Sequence, residues 1–267
     1  MRENRVKRTL REGGVALGTM VFEFASTGIA RIAAAAGAEF VIFDMEHTGW
    51  SVETVRMLFA TARAAEIVPM VRVPATQYHL LSRPLDVGAM GLMVPMVESE
   101  EQARTIVRSA KYTPLGGRGA AFGMAHDDYL PGDALAKMAS ANEEGLLIAQ
   151  IETAQGIENI EAIAAVEGID VLWIGHNDLS NSLGIPGQFE HPDYLRAIER
   201  FFAACARHGK APGIMATSVE GARAQRAQGF RCMAYSGDIA LYYQALNQGL
   251  AAIKDGSTGP TSGQPAR

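Results

Sequence analysis

Eight short apolar runs, separated by Ala-, Glu- and Arg-rich stretches, limit what this sequence can fold into. They are Val15 to Met20, Phe40 to Asp44, Val68 to Arg72, Leu92 to Met96, Leu146 to Ile151, Val171 to Ile174, Gly213 to Ala216 and Arg231 to Tyr235. Several lack polar alternation, as expected of strands buried on both faces. The stretches between them, such as Ile157 to Val166, space their apolar residues by three and four, the helical period. Repeated βα units predict a parallel sheet, and eight of them in about 250 residues is the arithmetic of a (β/α)8 barrel. With 267 residues, 48% of them hydrophobic, the chain can bury one large core. The expectation is therefore one α/β barrel domain over residues 1–254.

Local signals agree with helices between the runs. Ser99 with Gln102 is a capping-box pattern before a helix reaching Lys111, and Gly37, Gly168, Gly209 and Gly229 stand where helices should stop. A helix after the third run is expected from about Gln77 to Val87-Gly88. The connection from Tyr112 to Gly145 breaks the short rhythm, carrying Gly116-Gly117-Arg118-Gly119 and then His126, Asp127 and Asp128. It reads as a lid or a subunit-contact segment. Asp255 to Arg267, rich in Gly, Ser, Thr and Pro, reads as a disordered tail.

Charge and composition exclude several functions. The formal net charge is -5 and the basic residues form no block, which argues against a nucleic-acid surface. No apolar run approaches a membrane span, and Met1 to Arg11 is charged with no apolar segment behind it, so a cytoplasmic protein without a signal peptide is expected. Cys205 and Cys232 lie far apart, the pattern of two buried small hydrophobes rather than a disulfide or thiolate site. None of the five lysines ends a strand-like run, which leaves Schiff-base chemistry without a nucleophile.

In a barrel of this kind the chemistry gathers where strands end. The fifth and sixth runs lead into Gln150, Glu152, Gly175, His176, Asn177 and Asp178. Two hard carboxylates with no cysteine or paired histidine nearby suit Mg²⁺ or Mn²⁺, with Co²⁺ also possible. The same spacing equally allows Asp178 to be a helix N-cap and Glu152 a first-turn acid. The second run ends in Asp44-Met45-Glu46-His47, where an imidazole beside a carboxylate suits proton transfer near neutrality. Glu46 fits either the metal surroundings or the surface. Arg72 shares its face with Met70 and needs an anionic partner, either a substrate carboxylate or enolate, or a salt bridge to Asp44 or Asp86.

These motifs, together with Val71-Arg72-Val73-Pro74, Leu85-Asp86-Val87-Gly88, Val94-Pro95-Met96-Val97, Gly117-Arg118-Gly119 and Gln150-Ile151-Glu152-Thr153, resemble the HpcH/HpaI family of metal-dependent 2-oxo acid aldolases from about Gly14 to Gly249. The resemblance implies a phosphoenolpyruvate/pyruvate-type (β/α)8 barrel that reversibly cleaves a 4-hydroxy-2-oxo acid to pyruvate and an aldehyde. It implies Glu152 and Asp178 as metal ligands, Arg72 as the carboxylate and enolate contact, and Gln150 at the substrate oxo group. It also implies His47 with Asp44 as the acid/base pair, and Asp86 reaching that pair from a neighbouring subunit of a hexamer built from dimers. Two departures bear on the substrate. The family's Gly-Pro-x-Asp-Leu becomes Gly175-His176-Asn177-Asp178-Leu179, and Met45 stands where glycine is common, crowding the turn before His47. The alternatives are a citrate lyase-like acyl-CoA lyase, for which no basic CoA patch is evident, and a non-catalytic 2-oxo acid binding protein.

Overall fold

The computed structural model describes residues 1–254, so the tail expected from Asp255 to Arg267 lies outside the described residues. Along the chain the elements are α1 (Arg5–Arg11), β1 (Ala16–Val21), α2 (Ile29–Ala35), β2 (Phe40–Asp44), α3 (Val52–Ala64), β3 (Val68–Arg72) and α4 (Tyr78–Asp86). Then come β4 (Gly91–Val94), α5 (Glu100–Ala110), a 3₁₀ turn (Ala125–Asp127), α6 (Ala134–Glu144), β5 (Leu146–Ile151), α7 (Ala154–Glu158), α8 (Ile160–Ala164) and β6 (Val171–Ile174). The rest is α9 (His176–Ser182), α10 (Pro192–His208), β7 (Ala211–Ala216), α11 (Val219–Gln228), β8 (Cys232–Gly237) and α12 (Asp238–Lys254). The strands pair in parallel and in sequence order, and β1 closes on β8 as a barrel. No described helix is long and apolar enough to cross a membrane.

Each strand divides its side chains between two cores. Phe40, Ile42, Val68, Met70, Leu146, Ile148, Val171 and Trp173 fill the barrel interior. Their alternating neighbours, among them Val41, Phe43, Val71, Leu147, Ala149 and Leu172, pack against the helices. Because strand side chains point to opposite faces in turn, even-numbered positions of β2, β3 and β5 look inward. Asp44, Arg72 and Gln150 continue those inward rows at the carboxyl end, above the apolar filling.

Several boundaries differ from the sequence reading. Strand β4 ends at Val94 instead of Met96, because Pro95 has no N–H to give the ladder and Met96 turns into the left-handed region at φ 54°. Strand β8 runs on to Gly237 and β7 begins at Ala211. The Ser99 cap is present, with Gln102 N donating to Ser99 Oγ at 3.2 Å. Gln102 Oε1 reaches back to Glu98 N at 2.8 Å, one residue before the usual partner of a capping box.

The reading of Tyr112 to Gly145 as a lid is corrected. The segment joins the end of α5 to the start of β5, both at the amino end of the barrel and so opposite the mouth, and it contains helix α6 capped by Asp133, which accepts Ala136 N at 2.8 Å. Asp128 pairs with Arg63 at 2.9 Å, and Asn142 exchanges hydrogen bonds with the Tyr112 backbone at 2.7 and 2.9 Å. The charged start of the chain forms α1, whose Val6 and Leu10 plug the same end. Both cysteines are buried free thiols, pushed up to about 12 by burial.

Lys111 closes this amino end. It is 3% exposed and its Nζ donates to Asn142 O at 2.6 Å and Gly145 O at 2.7 Å. Burial, with the nearby charge of Lys7, pushes it down to about 7. An unfolded lysine titrates near 10.4, so between about 7 and 10 unfolding takes up a proton and stability rises with pH. Denaturant unfolding of wild-type and Lys111→Met should therefore diverge with pH. Wild type gains on the variant by up to about 1.4 kcal/mol per pH unit across that window. A difference that stays flat with pH would refute the neutral lysine.

Candidate active site

The mouth is organised by adjacent strand ends. Asp44 and Arg72 are register partners on β2 and β3, and Arg72 Nε donates to Asp44 Oδ1 at 2.6 Å. Asp44 is fully buried and Arg72 is 8% exposed. Glu46 Oε2 lies 3.2 Å from the same Nε, while Arg72 Nη1 and Nη2 have no protein partner among the described residues. Arg72 therefore spends one edge on the protein and leaves its fork open. The Phe22 ring, at the exit of β1, lies 5.9 Å from its Cζ.

Asp44 shapes the turn that presents His47. Its carboxylate accepts Glu46 N at 3.2 Å and His47 N at 3.0 Å, and its carbonyl accepts Thr48 Oγ1 at 2.6 Å. With both oxygens occupied, Asp44 does not orient the imidazole, contrary to the simple pair expected from sequence. The carboxylate nearest the exposed ring is Glu46, whose Oε2 lies 3.7 Å from His47 Nε2. Burial holds Glu46 above the usual carboxylate range against the pull of Arg72, and the charge of Glu152 adds to the rise. Met45 does not crowd the turn. It is 7% exposed and packs into the layer between sheet and helices.

The second half comes from β5, β6 and α9. Glu152, 2% exposed, accepts Met96 N on Oε1 at 2.7 Å and Gln150 Nε2 on Oε2. Gln150 Oε1 is buried without a hydrogen-bond partner among the described residues. Asp178 stands in the first turn of α9, exposed and without a hydrogen bond among the described residues. Neither acid is a cap: Thr153 caps α7 by accepting Gly156 N at 3.0 Å, and Gly175 occupies the N-cap position of α9. Burial raises Glu152 above the usual carboxylate range and the Asp178 charge pushes it the same way, opposed by Gln150, Met96 and Arg72. Gly175 has no room for a side chain, since a Cβ there would fall against Glu152 Oε2 and 2.7 Å from Glu152 Cβ.

No group of three or more His, Cys, Asp and Glu side chains among the described residues could hold a metal by itself. The donor set is instead two carboxylates, one sheltered and one open, with an orphaned amide oxygen beside them. That set fits an oxygen-preferring cation that keeps water and substrate among its ligands.

Phe22, His47, Arg72, Gln150, Trp173 and His176 line a cavity of about 210 Å³. A larger hollow of about 720 Å³ beside α5 and α6, lined in part by Lys7, Lys111 and Asn142, lies away from the carboxyl ends of the strands. His176 is half-buried and meets Phe189 edge-on at 5.5 Å, and Phe189 meets Tyr194 at 5.4 Å. Burial lowers its pKa against the pull of Asp178. Asn177 is exposed. Asp86 is not at this mouth. It ends α4 and pairs with Arg118. Sequence reading also missed the Met96 amide and the Trp173 side of the cavity. The inward parity of β6 carried a signal for Trp173, whereas nothing local foretold the left-handed Met96.

A model of the HpcH/HpaI aldolase/citrate lyase family matches residues 19–245. The 2-keto-3-deoxy-L-rhamnonate aldolase of Klebsiella pneumoniae is 35% identical over 257 residues, 96% of each chain. The hydroxypyruvate/pyruvate aldolase of Roseobacter denitrificans is 33% identical over 245 residues, 89% of this chain and 92% of the relative. The crystal structure of an HpcH/HpaI aldolase from Desulfitobacterium hafniense superposes with a TM-score of 0.89 at 33% identity, covering 96% of this chain and 98% of the other.

The Asp44 and Arg72 pair can be tested by itself. Asp44→Ala strands a buried guanidinium and should destabilise the protein by about 3 kcal/mol, the low end for a broken buried pair because Glu46 remains close. Adding Arg72→Met should restore part of the loss in urea unfolding. A loss in the double variant equal to the sum of the two single losses would show that the two side chains do not depend on each other.

Proposed function

The chain belongs to the HpcH/HpaI aldolase/citrate lyase family and is a carbon–carbon lyase, and from that premise we propose that it cleaves a 4-hydroxy-2-oxo acid of the 3-deoxy sugar-acid class reversibly to pyruvate and an aldehyde. The observation that supports this reading is that open Asp178, Gln150 and the free fork of Arg72 share one cavity, while buried Glu152 holds the Gln150 amide and feels the charge of Asp178. Glu152 and Asp178 would hold a divalent cation, Mg²⁺ or Mn²⁺ with Co²⁺ also suited, which when bound supplies Lewis acidity next to the substrate's oxo acid end.

The remaining work falls to the chain's own groups. Arg72 binds the substrate carboxylate and faces negative charge as it develops, through Nη atoms that no group among the described residues occupies. The Gln150 amide contacts the oxo group. His47 takes the C4 hydroxyl proton, the C3–C4 bond breaks, C4 becomes the aldehyde carbonyl, and the electron pair passes to C3 as the enolate. Return of a proton to C3 gives pyruvate. Asp44 supports this by fixing the turn and pairing with Arg72, and His176 and Asn177 border the substrate cavity.

A homo-oligomer, a hexamer arranged as a trimer of dimers, would bring Asp86 of a second copy to the His47 region. Helix α12 supports association, because it buries only Asp238 and leaves Ile239, Tyr242, Tyr243, Leu246, Leu250 and Ile253 exposed.

A coupled pyruvate-release assay over a panel of 4-hydroxy-2-oxo acids tests the proposal. Release should stop with EDTA, return with Mg²⁺, Mn²⁺ or Co²⁺, and fall more than about 100-fold in Glu152→Ala. Binding of pyruvate or oxalate without cleavage or exchange of the pyruvate methyl protons would favour a binding protein instead. Light scattering should give a mass several times 28.5 kDa, and a monomer would remove the role for Asp86.

A further inference from the structure

We propose that Asp238 is a positioning residue for this site: it pins the loop leaving β1 so that the Phe22 ring stays against Arg72. The inference rests on the substrate role given to Arg72 above. Asp238 is 6% exposed and opens α12, yet its carboxylate does not serve its own helix. Oδ1 accepts Phe22 N at 2.9 Å, and Oδ2 accepts Glu23 N at 2.9 Å and Phe24 N at 2.7 Å. Three consecutive amides converge on one carboxylate, and no lysine or arginine pairs with it among the described residues. Charge-assisted bonds of this kind are about twice as strong as neutral ones, so the loop is held firmly.

The end of β8 is built to deliver that carboxylate. The β1–β8 register shifts between Gly18 and Met20, and Ser236, 2% exposed, takes the left-handed region at φ 54°. Thr19 Oγ1 ties the irregular turn by donating to Tyr235 O at 3.0 Å. A non-glycine residue held left-handed at a strand end beside the cavity is strain of the kind found at functional sites. Gly237 follows, and a Cβ there would lie 2.6 Å from Phe22 Cε2 and 2.8 Å from Cδ2. Room for the ring and an anchor for its backbone thus come from adjacent residues.

The chemical effect passes through Arg72. Asp44 holds the Nε edge with Glu46 beside it, and Cζ sits over the Phe22 ring, 5.9 Å from its centroid, so that the ring shields that side of the guanidinium. A guanidinium screened from water on one face interacts more strongly with an anion at its free fork. Releasing the loop would hydrate that face and loosen the side chain without touching a group that meets substrate.

Steady-state cleavage should be compared in wild type, Asp238→Ala, Asp238→Asn, Gly237→Ala, Phe22→Leu and Phe22→Leu/Asp238→Ala. Asp238→Ala and Gly237→Ala should each raise KM for the 2-oxo acid about tenfold while kcat falls less than threefold, as expected for lost binding common to ground and transition states. Asp238→Asn, keeping one carbonyl acceptor, should fall between wild type and Ala. The double variant should be no worse than its worse single parent. Unchanged KM in both Asp238→Ala and Gly237→Ala, or losses that multiply in the double variant, would overturn the proposal. If Asp238→Ala does not fold, Gly237→Ala and Asp238→Asn decide alone. Should wild type cleave nothing in the panel, the lyase reading of the site fails separately, and pyruvate affinity by calorimetry across the same variants tests the positioning role.

Discussion

Alternation of side chains along a strand decides what can stand at the mouth of a closed barrel. Inward positions are shared between an apolar filling below and whatever the strand ends supply above. Here Phe40, Ile42, Val68, Met70, Leu146 and Ile148 make the filling, and Asp44, Arg72 and Gln150 continue the same rows upward. A register slip of one residue would turn all three into the helix layer. Parallel pairing of β2 with β3 over five consecutive residues fixes that register and so fixes the Asp44–Arg72 pair.

The mouth is unbalanced in charge. Asp44, Glu46, Glu152 and Asp178 gather about one guanidinium, and Arg72 is already bonded through Nε to Asp44 with Glu46 3.2 Å from the same atom. Burial raises both Glu46 and Glu152; the charges of Glu152 and Asp44 add to the rise at Glu46, and that of Asp178 adds to the rise at Glu152. Such a site disfavours further negative charge unless a cation enters with it. An anionic ligand entering this mouth would therefore be favoured by a cation entering with it on electrostatics alone, before any chemistry is considered.

The eight strands were legible because runs buried on both faces have no polar interruption to disguise them. Glu152, Asp178, Arg72 and His47 were legible as residues leaving those strands. Features set by sequence-distant partners were not. The carboxylate of Asp44 is divided between a turn and Arg72, so its link to His47 runs through backbone and not through the ring. Helix α6 buries only Asn142, so it lacks the apolar stripe that betrays a helix, and the segment carrying it looked like an open loop. Its place at the amino end follows from topology: a connection from helix to the next parallel strand returns to where strands begin. Phe22 and Asp238 are 216 residues apart, beyond any local pattern.

The His176-Asn177 departure lies beside Asp178 and on the other side of Gly175 from Glu152. Gly175 is the residue whose lack of a side chain protects Glu152, and it is retained. His176, one position on, opens α9, the first helical position where proline is also well accommodated, so exchanging one for the other leaves the helix start intact. The imidazole packs on Phe189, which packs on Tyr194, making an aromatic wall anchored in α10. His176, the member of that wall that lines the cavity, sets the bulk and polarity there, on a different element from Glu152, Gln150 and Arg72. Under the proposed function, reaction type would rest on residues of β2, β3 and β5 together with Asp178, and substrate choice on His176 two positions before it and the aromatic rings on which it packs.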